Sequence, residues 1–218
     1  MHEELSGVRI MAYTTIDDPS AYFQTTLYTG SGSSTQNVVN GGNSDLQPDL
    51  VWVKNRTDAR WHRLVDSSRG VSKNLYSNET DAEGTEASVT AFNSDGFSLG
   101  TDTGSDGWNE NSDAHVAWQW KANGGTTTTN SAGANGADHE SVYQANDTAG
   151  FSIVTYTSDN QSGDTVIKHG LSTAPTFMIH KARNAGSTIW WVYHKDLGNS
   201  GYMNLDSTNA NQTGSSNV

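Results

Sequence analysis

The sequence predicts an all-β protein made of tandem β-sandwich repeats, jelly-roll or lectin-like, with the second copy incomplete. Three observations lead there. Short runs of aromatic and β-branched residues are separated by Gly, Asn and Asp turns. No stretch holds a sustained 3.6-residue apolar period. Four segments recur in order at a nearly constant spacing.

The recurrence begins with Phe23-Gln-Thr-Thr-Leu-Tyr28, which aligns with Phe151-Ser-Ile-Val-Thr-Tyr156 at an offset of 128. Pro48-Asp-Leu-Val-Trp-Val-Lys54-Asn-Arg56 aligns with Pro175-Thr-Phe-Met-Ile-His-Lys181-Ala-Arg183 at 127. Trp61 to Val65 faces Trp190 to Tyr193, and Lys73 to Ala82 returns as Gly201 to Ala210. Expected strands in the first copy are 22–28, 49–54, 61–65, 73–77, 88–92, 96–100 and 114–121. The second copy repeats four of them near 151–156, 176–181, 189–194 and 202–205, with an extra candidate at 164–168 and a short leading strand at 141–144.

Past the common part, Asp95-Gly96 between apolar runs predicts a hairpin, because both residue types tolerate positive φ. In the run from Ala114 to Lys121, alternation places Val116, Trp118 and Trp120 on one face, expected to be the core. His115, Gln119 and Lys121 fall on the other, and His115 reads as a half-exposed strand histidine. Trp190 and Trp191 are adjacent, so one of them must face away from its own core, toward a neighbouring repeat or another subunit. The expected organisation is an extended arm over 1–20, a sandwich over 21–121, a flexible Gly/Thr/Asn-rich linker over 122–140 and a truncated sandwich over 141–218. The second copy stops before any counterpart of the 88–121 strands. The expectation is a fragment of a longer frame, or a unit finished by another chain.

Composition narrows the function. Net charge is −12 and the basic residues are scattered, which disfavours nucleic acid and anionic membrane surfaces. There is no Cys, so neither disulfides nor thiolate metal sites enter. No apolar run approaches a membrane span, and the first residues lack the apolar stretch of a signal peptide. Exit from a cell by lysis fits that combination.

The words Met11-Ala-Tyr-Thr-Thr-Ile-Asp-Asp-Pro19, Phe23 to Tyr28, Pro48 to Arg56, Asp66-Ser-Ser-Arg-Gly70, Phe92-Asn-Ser-Asp-Gly-Phe97 and Val116-Ala-Trp-Gln-Trp-Lys121 occur in a fixed order. The chain thereby resembles, over most of 11–218, a repeat of long marine bacteriophage proteins described as tail-fibre-like or uncharacterised structural proteins. Residues 1–10 and the short second copy depart from that pattern. The resemblance implies a virion component with a host-surface role, extracellular after lysis, with homotrimerisation as a further expectation. It implies no catalytic residues.

The search for chemistry agrees with a non-enzyme. The seven His form no zinc-type spacing, and no Gly-x-Ser-x-Gly elbow is present. Glu79, Glu83 and Glu86, candidates for a depolymerase pair, read as a solvated polar loop. The expected cofactor is none, with calcium the exception considered at the loop 102–113. There Asp102, Asp106 and Asp113 take positions one, five and twelve of a calcium-loop pattern, with Gly107 at six. Position three is Gly104, and the last ligand is Asp rather than Glu. Trp108 with Asn109 and Asn111 reads as a sugar-stacking site, or else Trp108 tucks back over the sandwich end. The partners expected are a bacterial surface glycan or other virion proteins. Adhesion leads, with a non-binding spacer or capsid decoration and a polysaccharide depolymerase as alternatives.

Overall fold

A computed structural model describes residues 15–33, 35–102, 106–159 and 164–213. The first half contains β1 (Phe23–Thr29), β2 (Gln36–Val38), β3 (Leu50–Asn55), β4 (Arg63–Asp66), β5 (Lys73–Tyr76), β6 (Gly84–Thr85), β7 (Val89–Asn93), β8 (Gly96–Leu99) and β9 (Ala114–Trp120). The second contains β10 (Thr128–Asn130), β11 (Ser141–Asn146), β12 (Phe151–Tyr156), β13 (Phe177–His180), β14 (Trp191–His194), β15 (Gly201–Asn204) and β16 (Gln212–Thr213). The helices among the described residues are three-residue 3-10 turns. The fold is all-β, with antiparallel pairing throughout the described ladders.

In the first half a six-stranded sheet, ordered β1-β9-β3-β4-β5-β6, faces a three-stranded sheet, β2-β8-β7. Val51, Val53, Val65 and Ala117 from the larger sheet meet Val38, Val89, Phe97 and Leu99 from the smaller one in a single core. Period-two alternation explains the contribution of β3: Val51 and Val53 point in, while Leu50 and Trp52 point out. The hairpin between β7 and β8 forms where Asp95-Gly96 predicts it, with Asn93 opposite Gly96. Only the glycine of that pair has a positive φ (106°), and a Cβ on it would lie 2.0 Å from the Val38 carbonyl oxygen.

The expected facing of β9 is inverted. Ala117 lies in the sandwich core, and its neighbours two residues away, His115 and Gln119, are fully buried. Gln119 Nε2 donates to Asn40 Oδ1 (2.5 Å) and Thr26 Oγ1 (3.1 Å). The His115 ring stacks on Tyr28 with centroids 4.9 Å apart, and its Nδ1 lies 3.0 Å from the Asp113 carbonyl oxygen. Trp118 and Trp120 point outward instead: Trp118 packs on Trp52 and Trp120 on Phe23 and Phe151. Alternation separates the two faces of a strand but does not say which one is covered by what. Here the polar face turns inward and is bonded only in part, since His115 Nε2 and Gln119 Oε1 are buried without a hydrogen-bond partner, while on the aromatic face Trp120 meets Phe151 of the second half.

Further contacts with the second half are specific. Trp190 enters a second cluster with Leu64 and Leu75, flanked by Leu50, Trp52 and Leu205. Its Nε1 donates to the carbonyls of Tyr76 (2.9 Å) and Glu79 (3.0 Å). Trp191 points the other way, onto Tyr202. Polar contacts flank the seam: Glu83 accepts from Arg69 and Arg183, and Lys181 Nζ donates to the Thr80 carbonyl.

The second half holds a three-stranded sheet, β10-β11-β12, and a four-stranded sheet, β13-β14-β15-β16. The starts of β13 to β16 follow those of β3 to β6 at offsets of 127 or 128, in the same spatial order. The segment 122–140, expected to be a flexible linker, carries β10 and a 3-10 turn (Ala134–Gly136). It is anchored by the buried Asp49 carboxylate, which accepts from the backbone N–H groups of Ala122 (2.7 Å), Gly124 (2.9 Å) and Gly125 (2.7 Å). Residues 164–168 form no strand. Of the expected N-terminal arm, 1–14 lie outside the described residues. Asp18 ties its end to the sandwich through Ser20 N (2.9 Å) and Ser44 Oγ (2.6 Å).

Candidate functional site

The richest polar constellation sits at one end of the first sandwich. Pairing of β3 with β9, Asn55 opposite His115, brings the loop after β3 beside the loop before β9. The second loop is organised by Asp102. Its carboxylate accepts from the backbone N–H groups of Asp106 (3.3 Å), Gly107 (2.9 Å), Trp108 (3.1 Å) and Asn109 (3.1 Å). Gly107 has φ 84°, and a Cβ there would strike Arg60 at 2.3 Å. The loop thus closes on its own carboxylate, as an anion-binding turn does.

This geometry corrects the sugar-stacking reading. Trp108 is 3% exposed and belongs to the core. Its Nε1 donates to the Gly100 carbonyl (3.3 Å), its carbonyl accepts from Tyr28 Oη (2.5 Å), and the Arg63 guanidinium covers its ring at 4.3 Å. Burial, and secondarily the Asp102 charge, push the Tyr28 hydroxyl well above the usual tyrosine range. Asn109 is buried as well, donating to the carbonyls of Ser33 (2.7 Å) and Gly100 (3.0 Å) and accepting from Ser31 N (2.9 Å). Only Asn111 of the three faces solvent.

The calcium-loop reading is also corrected. A cation ligand must present free lone pairs, whereas the Asp102 oxygens face four N–H donors. The Asp106 carboxyl is pushed up, by burial first and by Asp102 second, which opposes the charged form a cation needs. Asp113 joins a different group. Its oxygens lie within 4.8 Å of those of Asp58 and Glu110. Arg60 grips Glu110 with two bonds (2.8 and 2.7 Å) and reaches Asp58 at 3.3 Å. Asn55 Nδ2 donates to Asp113 Oδ2 at 2.7 Å. In this group Arg60 is paired with Glu110 and Asp58, and Asn55 holds Asp113.

Sequence reasoning missed Asn55, Asp58, Arg60, Arg63 and Glu110. The signal for them was the β3–β9 register, which no local pattern contains.

The depolymerase candidates are likewise engaged. Burial works against charge on Glu83, but hydrogen bonds from Arg183 and Arg69 outweigh it and hold the carboxyl below its ordinary range. A general acid needs the opposite shift. Glu86 pairs with the buried Arg63. Elsewhere, an open groove of about 570 Å³ runs beside Phe23, Leu27, Val39 and Gly42, with no titratable side chain in its wall.

No helix among the described residues is long and apolar enough to cross a membrane. No significant similarity to a curated protein or to a solved structure is found. A family model does match, over residues 18–218, and it takes in both sandwich-bearing and seam-forming segments. The chain belongs to that family, a domain of unknown function designated DUF7483.

Proposed function

We propose that this chain is a non-catalytic structural module of a virion-surface, tail-fibre-like assembly. The reading combines the phage-repeat resemblance with one structural observation that carries it: the Trp190 seam. The β3–β5 part of the outer face of the six-stranded sheet joins two consecutive β-units, with the Trp190 indole doubly hydrogen-bonded across the junction. The recurring strand order at 127–128 residues supports a duplication in which each unit seats the next. Glycan adhesion, the leading expectation from sequence, loses its aromatic platform because Trp108 lies beneath Arg63.

The test is to apply the purified chain to a glycan array and to bacterial envelopes, and in parallel to follow its urea unfolding. The structural reading expects no saturable glycan binding and one transition for both halves. Saturable binding to a sugar would reinstate adhesion, and release of new reducing ends from capsule would reinstate a depolymerase.

A further inference from the structure

Two contacts of different kinds join the halves. The Trp190 cluster is apolar apart from the indole nitrogen, and apolar burial has no direction of its own. The other contact is polar. Gln144 of β11 is 1% exposed, although its side chain is an amide. Its Nε2 donates to Ser67 Oγ (2.8 Å) and Ser68 Oγ (2.7 Å) in the turn after β4, and its Oε1 accepts from Gly125 N (2.9 Å). Ser67 Oγ donates in turn to Asp49 Oδ1 (2.6 Å), which also accepts from Gly125 N (2.7 Å). Asp49, Ser67, Gln144 and Gly125 thus close a ring of hydrogen bonds. The ring draws on the approach to β3, the turn after β4, the segment after β9 and the strand β11.

The ring has one direction. Both hydrogens of Nε2 are used, and exchanging the amide oxygen and nitrogen would set hydrogens against the Gly125 N–H. It is also more than its donors require. Asp49 alone satisfies Ser67 Oγ and Gly125 N, so Gln144 adds orientation where satisfaction is already complete. The internal duplication agrees. Thr176 and Lys195 stand where Asp49 and Ser67 stand, at offsets of 127 and 128. The backbone bond recurs, from Ser67 N to the Asp49 carbonyl at 2.8 Å and from Lys195 N to the Thr176 carbonyl at 2.9 Å. The side-chain ring does not recur: position 176 has no carboxylate, and Lys195 Nζ pairs with Asp196. Strand and turn therefore form without the ring, which leaves the junction as its place of action.

We propose that Gln144 is the residue that sets the relative orientation of the two halves. Trp190 supplies apolar contact, and Gln144 selects the one placement in which its amide meets Ser67, Ser68 and Gly125 together. Single buried polar side chains fix register in other assemblies by the same means. Gln144 is a positioning residue and touches no ligand. The inference goes beyond the structural-module reading and holds whatever assembly the chain serves.

The chain has no Cys, so Asp45→Cys in the first half and Asn199→Cys in the second, both at exposed positions, take one spin label each. Pulsed electron double resonance on the whole chain then reads the distance between the halves, and one narrow distribution is expected. Gln144→Leu nearly keeps the volume and removes the amide. It should make the distribution at least about twofold wider, or split it. The urea midpoint should stay near that of the labelled parent, because Asp49 keeps its donors. Ser67→Ala with Ser68→Ala, which removes both acceptors of Nε2, should widen the distribution as well. Adding Gln144→Leu to that pair should widen it no further, since members of one network do not act additively. A narrow distribution in Gln144→Leu would overturn the proposal, whatever happens to stability. So would a widening that the serine pair does not share, or one that adds in full to theirs. Should Gln144→Leu not fold, the serine pair decides: widening supports the proposal, and a narrow distribution overturns it.

Discussion

β3 and β13 stand at matching places in their sheets, yet they live in different surroundings. Val51 in β3 is fully buried between two sheets, while Met178, at the matching position, is 42% exposed. Both strands are apolar enough to be interior. What separates them is the presence of β9 along one edge and of β2, β7 and β8 over one face of the first. Residue type sets what a strand can tolerate; neighbours decide how much stability it contributes.

That contrast gives its sharpest test in paired charge insertions. Val51→Asp should unfold the first half, costing more than about 4 kcal/mol, because a carboxylate would be buried without a partner. Met178→Asp should change stability by no more than about 0.5 kcal/mol. Urea denaturation of the two variants reads both, and equal losses would mean that β13 is covered in solution. Next in size is the seam. Trp190→Ala should cost about 3–5 kcal/mol and split unfolding into two transitions, whereas Trp191→Ala, which touches Tyr202 alone of the aromatic rings, should keep one. A single unchanged transition in the Trp190 variant would show that the halves are joined by something other than this side chain.

Smaller effects probe the loop end. Asp102→Ala strands four backbone donors and should cost about 1–3 kcal/mol in thermal or urea unfolding, with Asp102→Asn costing less. His115 adds a pH dependence. Burial pushes its imidazole down, outweighing the raising influence of Asp113. Above about pH 6.5 the ring is neutral in folded and unfolded chains alike. As the pH falls through that value the unfolded chain takes up the proton first, so stability should decline until the lower folded value is reached. His115→Phe keeps a ring against Tyr28 and should flatten this part of the profile. Smallest of all, calcium or a chelator should leave the unfolding midpoint where it is, because Arg60 already occupies the Glu110 carboxylate. A rise with calcium would point to the Asp58, Glu110 and Asp113 cluster.

The strands were legible wherever β-branched and aromatic residues cluster, as in β1, β3, β9 and β12. Gln36–Val38, Gly84–Thr85 and Thr128–Asn130 were not, since two or three mostly polar residues carry no period and are held by their partners. Insertion of β9 between β1 and β3 was hidden for another reason: it is a long-range pairing, and local alternation is silent on it. The same gap explains the site. Trp108 among Asn and Asp looks exposed until Arg63, from a distant strand, is seen to lie over it. Asp102 looked like a cation ligand because a carboxylate at a loop start suits cations and backbone amides equally.

Asp49 holds the segment after β9. Three N–H bonds at 2.7–2.9 Å, with Ser67 Oγ at 2.6 Å on the same carboxylate, leave the chain little torsional freedom where it passes from one unit to the next. Trp190 then fixes the second contact. Units joined in series through such a two-point hinge lock would add a constant rotation and rise at each step, as solenoid repeats do. Such an array would bend and twist as a stiff rod of defined pitch, transmitting torque along its length where a chain of beads on string would dissipate it.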